Sequence, residues 1–156
     1  MTNSQLSDRR APQHSVSTAD LTDPLYYLKN FETVVNWVTD HHGDLLLEEE
    51  RKRLDDIRGL SVAARALLVR LVMRRGECFR VDRLNYAELG APAVEVIEEL
   101  VEASWLEQEP ELTLEEIFGL FTLPELRSFM AESMSRAGVS PGLSKTRLLA
   151  SLGQWF

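Results

Sequence analysis

Five residues with short oxygen-bearing side chains stand at the heads of apolar runs of helical period: Asp23, Ser61, Thr113, Thr122 and Ser144. Such residues start helices, because the side-chain oxygen accepts from backbone N–H groups that a first turn leaves unpaired. Together with the breaks at Gly43, Gly76, Gly90 and AGVSPGL, they divide the chain into short helices and leave little room for a sheet. The fold class is therefore mainly α.

Asp23 with Pro24 opens a helix carrying Leu25, Leu28, Phe31, Val35 and Val38, which ends at His41, His42 and Gly43. LLLEEERKRLDDI forms a second helix, with Leu47, Leu54 and Ile57 facing inward and the pairs Glu48 with Lys52 and Glu49 with Arg53 one turn apart. These two make a helical hairpin over residues 23–60. Ser61 caps SVAARALLVRLVMRR, in which Ala64, Leu67, Leu68, Leu71 and Val72 form an apolar arc. An extended CFRV, a short helix around DRLNYAEL, a helix over APAVEVIEELVEA and a strand at SWLEQE follow. That order is the one of a winged helix-turn-helix, with a minimal strand component, over residues 61–110. Residues 111–156 read as LEEIFGLF, LPELRSFMAESMSR, the break and KTRLLASLGQW, a helix-extended loop-helix unit. Residues 1–22 have no apolar period and are expected to be a mobile tail.

Charge is distributed unevenly. The formal total of −8 hides a basic island at 57–85, with 7 basic and 2 acidic residues, and an acidic block at 86–120, with 10 acidic and none basic. Residues 123–156 are again basic, with 4 basic and 2 acidic groups. A phosphate backbone would meet the two basic islands and avoid the block between them. No apolar run approaches the roughly 20 residues of a membrane span and the N-terminus lacks a signal-peptide core, so no membrane partner and a cytoplasmic location are expected.

Candidate sites of chemistry are few. Cys78 is the sole cysteine, so there is no intrachain disulfide and no cysteine cluster; it is expected as a small core residue. His41 and His42 lie beside Asp40 and Asp44, but neighbouring helical residues point about 100° apart and do not converge on one ion. They read as imidazoles at a helix C-terminus, and no metal is expected. No nucleophile and base pairing or glycine-rich phosphate loop occurs, so no catalytic residue is assigned.

Three blocks carry a family resemblance: DPLYYLKNF at 23–31, ALLVRLVMRRGECFRVDRLNYAELG at 66–90 and ELTLEEIFGLFTLPEL at 111–126. In order and spacing they resemble bacterial Fanconi-associated nucleases, structure-specific DNA nucleases of the VRR-NUC type. TLPELRSFMAESMSRAGVSPGLSKTRLLASL is similar to their SAP domain, with Lys145 opening and Leu149 anchoring its second helix. The resemblance implies branched or flapped DNA as partner, together with helical and nuclease regions of the same protein. It implies a VRR-NUC domain beyond residue 156, where an acidic pair and a Glu-x-Lys hold Mg or Mn; this chain itself is expected to hold no cofactor. Here Glu-x-Lys occurs only as Glu50, Arg51 and Lys52, inside EEERKR, which reads as a solvated helix face. The ending on Trp155 and Phe156, without a polar tail, is the one expected of a chain cut from a longer protein.

Two surfaces are candidates for DNA. In the basic island the off-helix residues Arg80 and Arg83 are the first candidates for phosphate; the other reading pairs Arg65, Arg70 and Arg80 with carboxylates of 86–120 and sets Arg74 and Arg75 against a helix end. In the SAP-like segment Ser144 leaves helix N–H groups for a phosphate, with Lys145 and Arg147 in the first turn and Arg127 and Arg136 on the preceding helix. Phe129, Met130, Leu148, Leu149 and Leu152 read as core. The third helix of the winged unit carries Glu95, Glu98, Glu99 and Glu102 and would repel a duplex, so that unit reads mainly as a platform. The competing function is a protein-interaction module without direct DNA contact.

Overall fold

The computed structural model describes residues 22–155, so the tail expected over 1–22 and the terminal Phe156 lie, Thr22 apart, outside the described residues. Eight helices run through that span: α1 (Tyr26–His42), α2 (Glu48–Gly59), α3 (Val62–Val72), α4 (Ala93–Glu102), α5 (Leu114–Leu120), α6 (Leu123–Phe129), α7 (Ala131–Arg136) and α8 (Lys145–Leu152). Two 3-10 turns, Val81–Arg83 and Ala87–Leu89, lie between α3 and α4 in place of the one short helix expected there. The fold is mainly helical, as the spacing of starts and breaks requires. None of the helices is long and apolar enough to cross a membrane among the described residues.

α3 is the centre of the first core. It buries Ala64, Ala66, Leu67, Leu68, Val69 and Leu71, packed against α1 on one side and α4 on the other. A helix clamped between neighbours is apolar nearly all round, which is why Ala66 and Val69 are buried though they fall outside the expected arc. Val72, placed in that arc by its spacing, is instead 70% exposed at the last position of α3, while Val69 and Leu71 in the same turn stay buried. Tyr27 and Leu28 of α1 and Val96, Ile97 and Leu100 of α4 complete the cluster. Each fully buried leucine, such as Leu67 and Leu100, contributes about 1.5–3 kcal/mol over its exposed state.

A second core holds the C-terminal helices, with Phe118, Leu126, Met130, Met134, Leu148 and Leu152 buried together. The helix expected over LPELRSFMAESMSR is broken at Met130, which leaves the helical range at φ −95° and ψ 9°, giving α6 and α7. Gly138 follows at φ 65°, a left-handed turn that glycine adopts without steric cost, and lets the Val139 N–H reach the Met134 carbonyl at 2.9 Å.

Three further local expectations fail for physical reasons. SWLEQE forms no strand: Ser104 sits at φ 58°, and the N–H groups of Trp105 and Leu106 donate to the Leu100 carbonyl at 2.8 and 3.3 Å. The C-terminal cap of α4 takes the donors that a strand ladder needs, and Trp105 and Leu106 fold back onto the core. Leu47 does not face inward; it stands 67% exposed at the head of α2, where its N–H donates to Glu50 at 2.8 Å. Cys78 is half-buried rather than core, with its Sγ 4.0 Å from Glu116 of α5, and burial followed by the nearby Glu116 and Glu77 pushes its thiol pKa up.

Candidate nucleic-acid interface

The two cores meet through the segment between α3 and α4. The Arg80 guanidinium donates to Glu125 at 2.8 Å and forms a fork with Asp82 at 2.9 and 2.6 Å, while lying 4.4 Å above the centre of the Phe121 ring. Its side chain is only 15% exposed. Glu125 is the third residue of α6, and its other carboxylate oxygen accepts from the backbone and hydroxyl of Thr122, both at 2.7 Å. The Thr122 donors and then Arg80 favour the charged carboxylate, pulling its pKa down to about 2. Arg83 reaches the same carboxylate at 3.4 Å but remains 62% exposed.

The other cations of the basic island divide between structure and surface. Arg70 pairs with Glu88 at 2.7 Å, inside the acidic block, and lies over the Tyr27 ring at 4.1 Å. Arg65 pairs with Glu32 of α1 at 3.2 Å, and Arg80 with Asp82 and Glu125, so two of the three carboxylate pairings expected within 86–120 go elsewhere. Arg74 lies near the rings of Phe79 and Tyr86.

In the C-terminal unit the expected phosphate-binding residues also separate. Ser144 precedes α8 in extended conformation, and its hydroxyl makes no capping bond. The first-turn N–H groups of α8 therefore have no side-chain acceptor at the cap, as an anion-binding helix start requires. Arg147 is exposed beside them. Lys145 turns back into its own unit, where its Nζ donates to the Phe121 carbonyl at 2.7 Å and satisfies the C-terminus of α5. Arg127 donates to the Leu143 carbonyl at 3.1 Å and braces the loop ahead of α8. Arg136 makes an exposed ion pair with Glu132 one turn before it. Phe129, expected in the core, is 52% exposed and meets Phe121 edge-on, with ring centres 5.0 Å apart, while Leu126 of α6 and Met130 just after it take the buried positions.

On α4, Glu95, Glu98 and Glu102 are exposed, as a surface that repels phosphate would be. Glu99 is different: its carboxylate accepts from the Ser61 N–H and hydroxyl, both at 2.7 Å, and so joins α4 to the start of α3. Sequence reasoning missed this role and that of Glu125. The signal available for Glu125 was its position three residues after Thr122, the spacing of a capping box. His41, read as a helix-end imidazole, has its Nδ1 2.9 Å from the Trp37 carbonyl and its ring stacked on Trp37.

Comparison with known proteins covers almost all of this architecture. The family described as "FAN1, HTH domain" matches residues 25–107, and "Fanconi anemia-associated nuclease SAP domain" matches 111–155. The Fanconi-associated nuclease 1 homolog of Pseudomonas aeruginosa is 37% identical over 141 residues, 90% of this chain and 24% of the relative. Fanconi-associated nuclease 1 of Homo sapiens is 36% identical over 106 residues, 66% of this chain and 10% of the relative. A crystal structure of paFAN1 bound to 2-nt 5′-flap DNA with a gap superposes at a TM-score of 0.80 with 36% identity, over 88% of this chain and 24% of that one. The chain thus spans about a quarter of the bacterial relative's length. With both family domains matched in order along a shared helical fold, the chain belongs to the Fanconi-associated nuclease family.

Proposed function

We propose that this chain is the DNA-binding N-terminal region of a structure-specific DNA repair nuclease that acts in the cytoplasm on flapped or branched DNA. The observation that carries the reading is the likeness, at a TM-score of 0.80, to a protein solved with 5′-flap DNA. The SAP-like unit makes the principal phosphate contacts, through Arg147 and the open N–H groups at Ser144, with Arg136 and the exposed Arg83 at the margins of the surface. Arg80, Lys145 and Arg127 shape that surface from inside by holding α6, α5 and the loop before α8. Phosphodiester cleavage is assigned to no residue of this chain but to the nuclease domain that the family resemblance implies, where bound Mg or Mn would neutralise charge on the attacking and leaving oxygens.

The test is fluorescence anisotropy of a labelled 5′-flap duplex with this chain at two salt concentrations. Affinity should fall steeply with added salt, since bound phosphates release counterions. Binding that ignored salt, or no binding at low salt, would overturn the reading.

A further inference from the structure

α2 buries none of its 12 residues. A helix of that length is marginal in water on its own and is held by what covers its apolar face. The face of α2 is only partly covered. Between it and α1 runs an open groove of about 560 Å³, lined by Val34, Val35 and Val38 of α1, Leu54 and Ile57 of α2, and Trp105. The first turns of α1 bury Tyr27 and Leu28 against the core, but further along Val34 is 61% exposed, and Leu45 in the turn to α2 is 74% exposed. The apolar surface therefore runs out of the groove into the α1–α2 turn.

The rim of this groove is acidic. Glu49 and Glu50 line it, Glu50 also accepting from the Leu47 N–H, with Glu48 beside them at the head of α2 in an exposed ion pair with Arg51 at 3.8 Å. Its cation, Arg53, lies over the Trp105 ring at 5.0 Å. Residues 23–60 carry 9 acidic and 5 basic groups, net −4. Such a surface repels a phosphate backbone and favours a partner that is apolar at its centre and basic at its edge. The lining of α2 from Glu49 to Ile57 spans about 12 Å at 1.5 Å per residue, enough for side chains at i, i+4 and i+7 of a second helix.

We propose that the α1–α2 groove is a protein-docking site for an amphipathic helix with apolar residues at i, i+4 and i+7 and lysine or arginine along the flank that meets Glu48 and Glu49. It is independent of the phosphate contacts of the SAP-like unit and stands whether or not that unit binds DNA.

The test uses the isotopically labelled full chain and a synthetic helical peptide of leucine, lysine and alanine with leucines at i, i+4 and i+7 and lysines on one flank. Two companion peptides carry glutamate for each lysine or the same leucines in shuffled order. The lysine peptide should shift the resonances of Val34, Val38, Leu54 and Ile57 and move the Trp105 fluorescence, binding at least tenfold more tightly than either companion. Glu49→Lys, an exposed change that leaves the groove floor intact, should reverse the preference between the lysine and glutamate peptides. Equal binding of all three peptides, or shifts confined to another surface, would overturn the proposal. So would a concentration-dependent dimer with the same groove shifts, groove contacts from another part of this chain, or groove shifts produced by 5′-flap DNA alone.

Discussion

Arg80 and Glu125, 45 residues apart in the chain, meet at 2.8 Å across the boundary between the two cores. Glu125 also binds Thr122 through its other oxygen, so one carboxylate both starts α6 and fastens that helix to the segment after α3. The Arg80 guanidinium lies over the ring of Phe121, whose carbonyl receives Lys145. The junction thus links the basic island, α5, α6 and the first residue of α8. Two of the cations expected to contact DNA are consumed in building it.

The two tasks of Glu125 are separable by mutation. Thr122→Ala removes the hydroxyl donor at the head of α6 but keeps the backbone N–H bond to Glu125, and should cost about 1 kcal/mol of stability, while both units keep one orientation. Arg80→Gln should leave α6 intact but free the two cores to reorient. Residual dipolar couplings read the difference: α3 and α8 should fit one alignment frame in the native protein and in Thr122→Ala, and need two in Arg80→Gln. A single frame in Arg80→Gln would remove the ion pair from any role in orientation.

Acid should open the same junction. The pKa of Glu125 is held at about 2 against an ordinary 4.5, so its contribution is fully present above 4.5 and is lost as pH falls toward 2. The carboxyl carbon resonance of Glu125 should titrate well below those of the exposed glutamates, and the two-frame behaviour of Arg80→Gln should appear in the native protein near the bottom of that range. A Glu125 midpoint near 4.5 would contradict the geometry.

Much of the helical order was legible because starts and stops are local chemistry. Ser61, Thr113, Thr122 and Ser144 each stand immediately before a helix, and α1 ends between His42 and Gly43. The misses lie where a distant group decides. Nothing near Arg80 announces Glu125 as its partner, and nothing near Glu99 announces Ser61. SWLEQE has the residue types of a strand, but the cap of α4 claims its backbone donors first. Lys145 looks like a phosphate ligand by position, and only the packing of α5 on α8 turns its amine toward Phe121.

The Ser61 and Glu99 pair should matter to the first core. Ser61 both caps α3, accepting from the Ala64 N–H at 3.1 Å, and donates to Glu99. Ser61→Ala should destabilise the protein by about 1 kcal/mol, read as a lower urea midpoint at unchanged slope. Glu99→Gln keeps an acceptor for the Ser61 donors and should cost less than Glu99→Ala. No loss in Ser61→Ala would show that α3 starts without its cap.

The last prediction separates contact from support on the SAP-like surface. Arg147 is exposed beside the open start of α8, so Arg147→Ala should weaken flap-DNA binding by about 1 kcal/mol and lower the salt slope by roughly one, with the thermal midpoint unchanged. Lys145→Ala removes the amine that satisfies the end of α5, so any loss of DNA binding should come with a lower thermal midpoint. The proper acidic control is Glu95→Gln with Glu98→Gln, because Glu99 holds Ser61 in place; that pair should bind as the native chain does or slightly more tightly. Anisotropy at two salt concentrations, alongside a melting curve for each variant, distinguishes the cases. If Arg147→Ala bound like the native chain at both salts while the glutamate pair lost binding, the DNA would lie on α4 and not on the start of α8.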